Sequence, residues 1–280
     1  MQEESMIRKK REMRILAGLV LALLPLSAFA WGQKGHDTVA NIASQHLTEA
    51  TRAAVDSLFR GKDMVYWANW LDNASHTPQY EYSRTWHYKN IDSEYTFETA
   101  PENRTGDILK ATNEQISVLM DPDTRGADAK LALKMVIHFL GDMHQPLHMG
   151  RYKDRGGNYH KVKFFDQETN LHSVWDSRLP ETGHKWSYTE WTRQIDRASQ
   201  AEQDEIISGT VGDWCRETYE IAKDVYGKTP EGTTISYDYI AGWTPTVELQ
   251  FLRGGLRLAH VLNYIYDPAY RATHSSPQGK

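Results

Sequence analysis

The chain of 280 residues has a single cysteine, Cys215, which excludes an intrachain disulfide and any cysteine-built zinc knuckle. It lacks a basic excess. With 32 Lys and Arg against 37 Asp and Glu, the net charge is −5, which argues against a broad basic face that grips nucleic acid. Glycine and proline are ordinary at 19 and 10, so collagen-like and low-complexity chains are set aside. The apolar run 15–30 is interrupted by Pro25 and falls short of the ~20 residues a spanning helix needs. There is no internal repeat and no linker-like stretch. What is present is material for a core: 40% hydrophobic residues, with 9 Trp, 15 Tyr and 7 Phe. The feature left to explain is the set of 12 histidines.

The first residues read as an address. Arg8, Lys9, Lys10, Arg11 and Arg14 precede the apolar run, which closes on Ala28-Phe29-Ala30, the order of a secretory signal peptide. Met6 and Met13 offer alternative starts. The expected division is a signal peptide over 1–30, one domain over 31–267 and a disordered tail over 268–280. Cleavage after Ala30 would leave a chain beginning at Trp31, periplasmic or secreted, monomeric and without stable membrane association. That chain would hold 27 basic and 34 acidic side chains, a net charge of −7. With one cysteine, its stability would come from packing or metals rather than bridges.

The domain reads as mainly α, a single helical unit. Apolar residues recur with helical spacing over 35–60, and Thr48 caps a break that splits this stretch in two. Similar patterns cover 64–75, 104–120, 127–143, 187–208, 210–226 and 246–266. The exception is 150–171. There Gly156-Gly157 signals a turn and HKVKFFD alternates as a short strand before the turn-like DQETN, predicting a small β-hairpin or a structured loop.

The histidines and aspartates are spaced like ligands. His138 and Asp142 lie four apart, on one face of a helix that Pro146 ends, with His148 just beyond and free to fold back. His172 and Asp176 repeat the spacing. Asp72 in NWLD and His87 in TWHYKN each stand near tryptophan, and His36 lies early in the first helix. An isolated His–Asp pair is more often a surface hydrogen bond. However, His138 sits between Ile137 and Phe139, where an unpaired polar ring is costly. Imidazole and carboxylate are the natural zinc ligands in a chain without cysteine pairs. His144 and His160 are spare candidates, while His46, His76, His184, His260 and His274 read as structural or solvated.

These residues fall in motifs that resemble the zinc-dependent single-strand-specific nucleases of fungi, plants and bacteria (the S-one/P-one type), relatives of bacterial zinc phospholipase C. The resemblance spans nearly all of the chain after residue 30. It includes WGQKGH at 31–36, WLD at 70–72, WHY at 86–88, HFLGDMHQPLH at 138–148, GGN at 156–158, NLHSVWD at 170–176 and ELQFLRGGLRLAHVLN at 248–263. It implies a mainly helical fold of the phospholipase C and single-strand nuclease type. It also implies three zinc ions (Zn2+) and hydrolysis of single-stranded DNA and RNA to 5′-phosphate products, with 3′-nucleotidase activity as an accompaniment. Carried over, one ion would take Asp72, His87, His138 and Asp142, a second His148, His172 and Asp176, and a third His36, Asp142 and the backbone amine and carbonyl of Trp31. Asp142 would bridge two ions and be the catalytic carboxylate. Because a terminal amine ligates only when uncharged, with a free pKa of ~7.7–8.0, leader removal would complete the third site.

The resemblance further implies that Tyr88 stacks a base and that Asn90 reads its edge, although Asn90 stands where fungal members have an aspartate. Ser75 stands where they have an arginine, leaving Arg84, Lys89 or Arg151 to supply that charge. The four cysteines common in eukaryotic members are missing. Asn158 would orient His172 or touch substrate, and Arg253 and Arg257 would form ion pairs across the core. The competing expectations are a phospholipase-C-like esterase and a non-catalytic export protein that binds zinc or haem.

Overall fold

Short polar side chains decide where many of the helices begin. In the computed structural model, which describes residues 31–279, Thr48 accepts the Thr51 amide and separates α1 (Gln33–Gln45) from α2 (Glu49–Phe59) at the predicted point. Asp63 caps α3 (Met64–Ala68), which α4 (Trp70–Ala74) follows after one residue. Asp107 caps α5 (Ile108–Met120), and a short loop returns the chain as α6 (Gly126–Asp142), packed against it. The expected signal peptide, 1–30, lies outside the described residues.

After α6 a tight turn, Pro146–Met149, leads to the loop that ends at the sheet. β1 (Lys161–Phe164) and β2 (Gln167–Asn170) form an antiparallel hairpin with Lys161 opposite Asn170. β1 buries Val162 and Phe164 and exposes its lysines, the predicted alternation. The stretch DQETN is not a turn but mostly the returning strand. The reversal needs only Phe165, at φ 56°, and Asp166. β3 (Thr234–Ile235) adds a parallel edge to β1, giving the order β2-β1-β3. From Asn170 the chain makes one helical turn (Leu171–Ser173) and widens into a π turn (Val174–Arg178) before α7 (Leu179–Gly183).

The single helix expected over 187–208 is two, α8 (Tyr188–Ile195) and α9 (Gln200–Ile207). Each opens on its own capping box, Ser187 with Glu190 and Ser199 with Glu202, and the second box restarts the chain. A third box, Thr210 with Asp213, opens α10 (Val211–Lys228). The long α11 (Tyr237–Tyr266) begins before the expected 246 and runs through Pro245. The proline forfeits one helix hydrogen bond, and the burial of Trp243 and Val247 on either side offsets that loss.

α11 lies along α1 and α6, and the core forms where these meet, around Trp31, Trp175, Trp191 and Phe251. Arg257 of α11, 2% exposed, reaches Glu217 at 2.5 Å, and Arg253 lies 3.9 Å from the same carboxylate, the ion pairing expected of them. The tail over 268–280, expected to be disordered, is held through residue 279. Asp267 caps α12 (Pro268–Arg271), the Val211 amide donates to the Pro277 carbonyl at 2.8 Å, and Gln278 donates to the Asn113 carbonyl at 2.8 Å. The tail is ordered because it satisfies a donor at the first turn of α10 that the helix itself cannot pair.

Candidate metal centre

α6 delivers His138 and Asp142 from its last turns, both fully buried. His138 Nε2 lies 3.0 Å from Asp142 Oδ2, as the four-residue spacing requires. The same carboxylate gathers three more imidazoles from three other segments. His36 of α1 lies 3.2 Å away, His87 2.9 Å and His148 3.5 Å. Asp72 of α4 approaches His138 at 3.5 Å, and His87 Nδ1 lies 3.0 Å from His138 Nε2. Gly141 makes room for this crowding, since a Cβ there would sit 2.5 Å from His36 Nδ1. The second predicted pair also closes, with His172 Nε2 3.2 Å from Asp176 Oδ2 and the His172 ring stacked on His148 at 5.3 Å. Three groups could each hold a metal ion: His36, His138 and Asp142; Asp72, His87 and His138; and His148, His172 and Asp176.

Backbone carbonyls aim the rings. His138 Nδ1 donates to Ala68 O at 2.7 Å, His148 Nδ1 to His87 O at 2.7 Å and His172 Nδ1 to Gly156 O at 2.6 Å. Each bond fixes the orientation of its ring and sets Nδ1 as the nitrogen turned to the backbone. Gly156 can present that carbonyl because it takes φ 64°, where a Cβ would strike Leu147 O at 2.6 Å. Gln145, inside the HFLGDMHQPLH motif, donates to Asp176 Oδ1 and accepts the Leu147 amide, a supporting role that carries no sequence signal of its own.

The electrostatics favour a cation. Burial lowers His36 to about 4 and His148 to about 3, and it lowers His87 as well, which favours the neutral form that a metal ion requires of imidazole. Burial also disfavours a charged His138, but Asp142 and Asp72 outweigh it and lift that ring to about 9. For Asp142 burial alone would raise the carboxyl, yet His138 and His148 hold it well below the usual range. Burial raises Asp176 to about 6. His138 thus reports a negative potential deep in the protein. Both ring nitrogens of His36, His87 Nε2 and Asp142 Oδ1 are buried without a hydrogen-bond partner. Orphaned donors and acceptors on convergent imidazoles and a carboxylate are what metal ligands look like without their ion.

The remaining expectations divide. Trp31 is fully buried against Phe251, and the Gly32 amide donates to Asp176 O at 2.8 Å, which ties this end of the chain to the second pair. Tyr88 is half-buried; burial and Tyr152 raise its phenol while Arg155 opposes them. The Asn90 amide oxygen is buried and unbonded, 3.2 Å from where a Cβ on Gly156 would lie. Asn158 does not orient His172. Its amide donates to Arg155 O at 2.9 Å, and the Gly156 carbonyl does that work. Of the three cations offered in place of the missing arginine, Lys89 is paired with Asp107 and Arg151 lies over Tyr226, whereas Arg84 donates to the Ser75 carbonyl at 3.1 Å. The spare histidines are committed elsewhere: His144 accepts from Arg257 and donates to Leu140 O, and His160 bonds Thr229 O.

Comparison with known proteins agrees with this geometry. The model of the S1/P1 nuclease family matches residues 31–267. Endonuclease 4 of Arabidopsis thaliana is 32% identical over 279 residues, covering 89% of this chain and 93% of that protein. Nuclease S1 of Aspergillus oryzae is 31% identical over 179 residues, covering 59% of this chain and 60% of its own length. Nuclease P1 of Penicillium citrinum is 28% identical over 272 residues, covering 84% and 98%.

Proposed function

The chain belongs to the S1/P1 nuclease family, and from that premise we propose that it cleaves single-stranded nucleic acid with three zinc ions held around Asp142. It is a mainly α, phosphodiester-cleaving endonuclease of a zinc-dependent family whose members are secreted. One observation carries the reading, namely a fully buried aspartate with four imidazoles within 3.5 Å and one oxygen left unbonded. Zinc supplies Lewis acidity toward a phosphoryl oxygen and a nucleophile from water near neutral pH.

The protein's part is to place and protect that chemistry. Asp72, His87, His138 and Asp142 would hold one ion, His148, His172 and Asp176 a second, and His36, Asp142 and the backbone of Trp31 a third. The carbonyl-anchored rings hold the ligands in fixed orientations, and burial excludes water from all but the Asp72 and His87 side, the more exposed rim. Tyr88 would offer its ring to a base. Asn90, whose amide both donates and accepts, would read the base edge less strictly than a carboxylate does. Single-strand preference follows because a duplex backbone is too regular to bend into a recessed site. The protein would be exported, with the leader removed at Trp31, and act as a monomer.

The test incubates protein starting at Trp31 with single-stranded DNA, RNA, 3′-AMP and phosphatidylcholine, with and without EDTA. Hydrolysis of the nucleic acids that chelator abolishes, with close to three zinc per chain, is expected. Turnover of phosphatidylcholine alone, or one metal and no turnover, would overturn the proposal. A form with one residue added before Trp31 should lose one zinc and most activity; equal values would reject the terminal ligand.

A further inference from the structure

A second surface stands beside the metal centre and is not used by it. Aromatic rings follow one another across α3, α4 and the segment before His87: Trp70 to Tyr80 at 5.0 Å, Tyr80 to Tyr82 at 6.4 Å and Tyr82 to Trp86 at 5.1 Å. Tyr82 is 48% exposed and Tyr66, at the far end beside Trp67, is 58% exposed. Trp70, Tyr80 and Trp86 are half-buried against the core, so the row is a partly open edge rather than a free surface. Both ends lie on segments that bear candidate ligands, Trp70 two residues before Asp72 and Trp86 directly before His87.

The cations are placed with the rings. Lys130, Lys134, His138 and Asp142 recur every four residues along α6, about 6 Å of helix per step. The two lysines therefore continue the stripe that ends at the metal centre. Lys134 Nζ sits 3.2 Å from the centroid of Trp70 and 4.9 Å from that of Trp67, and Lys130 Nζ is 4.7 Å from Trp67. Lys134 is only 9% exposed, yet no carboxylate among the described residues pairs with it. The indole faces of Trp70 and Trp67 hold this charge in place of a carboxylate, which leaves it uncancelled by any neighbouring anion.

We propose that Trp67, Trp70, Tyr80 and Tyr82, with Lys130 and Lys134, form a track that receives the unpaired strand running away from the scissile phosphate. The track rests on the nuclease reading and gives it length: bases lie on the rings while lysines meet phosphates, the combination that binds single strands without reading sequence. It makes the protein a better enzyme on long strands than on short ones.

The experiment compares wild type, Tyr82→Ala, Tyr82→Phe and Lys134→Gln with a long oligothymidylate and with the thymidine dinucleotide. Both hydrolysis and equilibrium binding of a fluorescent oligothymidylate are followed. Tyr82→Ala should raise the KM ratio, long over short, about fivefold, with Tyr82→Phe restoring it. Lys134→Gln should weaken long-strand binding and flatten its salt dependence by about 0.7 in log–log slope. An unchanged ratio and unchanged binding, or equal weakening on both substrates, would overturn the track. Because binding is read apart from hydrolysis, a protein that bound long strands through these residues but cut nothing would refute the nuclease reading and leave the track standing.

Discussion

Two populations of histidine share this chain. Away from the metal centre, His46 meets Asp196 at 2.9 Å, His184 meets Glu248 at 2.8 Å, and His144 is held between Leu140 O and Arg257. Each of these rings has a partner that the protein itself supplies. Around Asp142, by contrast, rings lie against one another, and four of them crowd a single carboxylate. One distal ring blurs the division: His260 Nε2 is buried and unbonded, with Tyr270 on the other nitrogen at 3.0 Å. No trio of potential ligand atoms gathers there among the described residues. An orphan nitrogen is therefore a weak sign alone, and convergence on a shared carboxylate is the strong one.

Breaking the metal-side arrangement should have the largest effect. Asp142→Asn keeps the shape but removes the charge shared by four rings, so hydrolysis should fall by at least about 100-fold, since even outer partners of ligands are worth about 10- to 100-fold. Bound metal should drop with it, as elemental analysis of the purified variant would show. Retained metal and activity would erase the distinction between the two populations.

Breaking the distal arrangement should cost stability and not metal. Arg257→Ala strips His144 Nε2 and the Ile206 carbonyl of a buried donor and leaves Glu217 only its longer contact with Arg253. A loss of about 3 kcal/mol in denaturant unfolding is expected, with metal content unchanged. The smallest effect sharpens the ambiguous case. Burial, then His274, holds His260 down at about 4, against 6.5 for a free ring. Above pH 6.5 the ring is neutral in both states and the stability is complete. As pH falls from 6.5 toward 4 the unfolded chain takes up a proton that the folded one refuses, so stability declines, and below 4 the decline ends. His260→Gln should flatten the unfolding free energy across that window, by at most about 3 kcal/mol.

Legibility followed the range of the interactions. His138 and Asp142 could be paired from the sequence because helix period alone puts them on one face, and Thr48 could be placed because capping is local. His172 and Asp176 meet as their spacing suggests, although the turn between them is of the π type rather than α. What escaped depends on segments far apart. β3 is two residues long and pairs with β1 some 70 positions earlier, and the tail is ordered only by what α10 and α5 offer it. The Gly156 carbonyl took the role expected of the Asn158 side chain, because backbone groups carry no sequence signature beyond the glycine that frees them. The row of rings from Trp70 to Trp86 was likewise invisible, since sequence counts aromatics without saying which face each other.

The wide turn at Val174–Arg178 makes this part of the molecule more sensitive to chain length than to chemistry. Each residue of an α-helix advances the chain by about 100°, so losing Val174 or Trp175 would rotate Asp176 by about that angle relative to His172 while both side chains stayed intact. The Gly32 amide, anchored on the Asp176 carbonyl, would be dragged along with it. A single-codon deletion there should be more damaging than most replacements. Relatives that vary freely in loop length elsewhere should therefore keep count at this point.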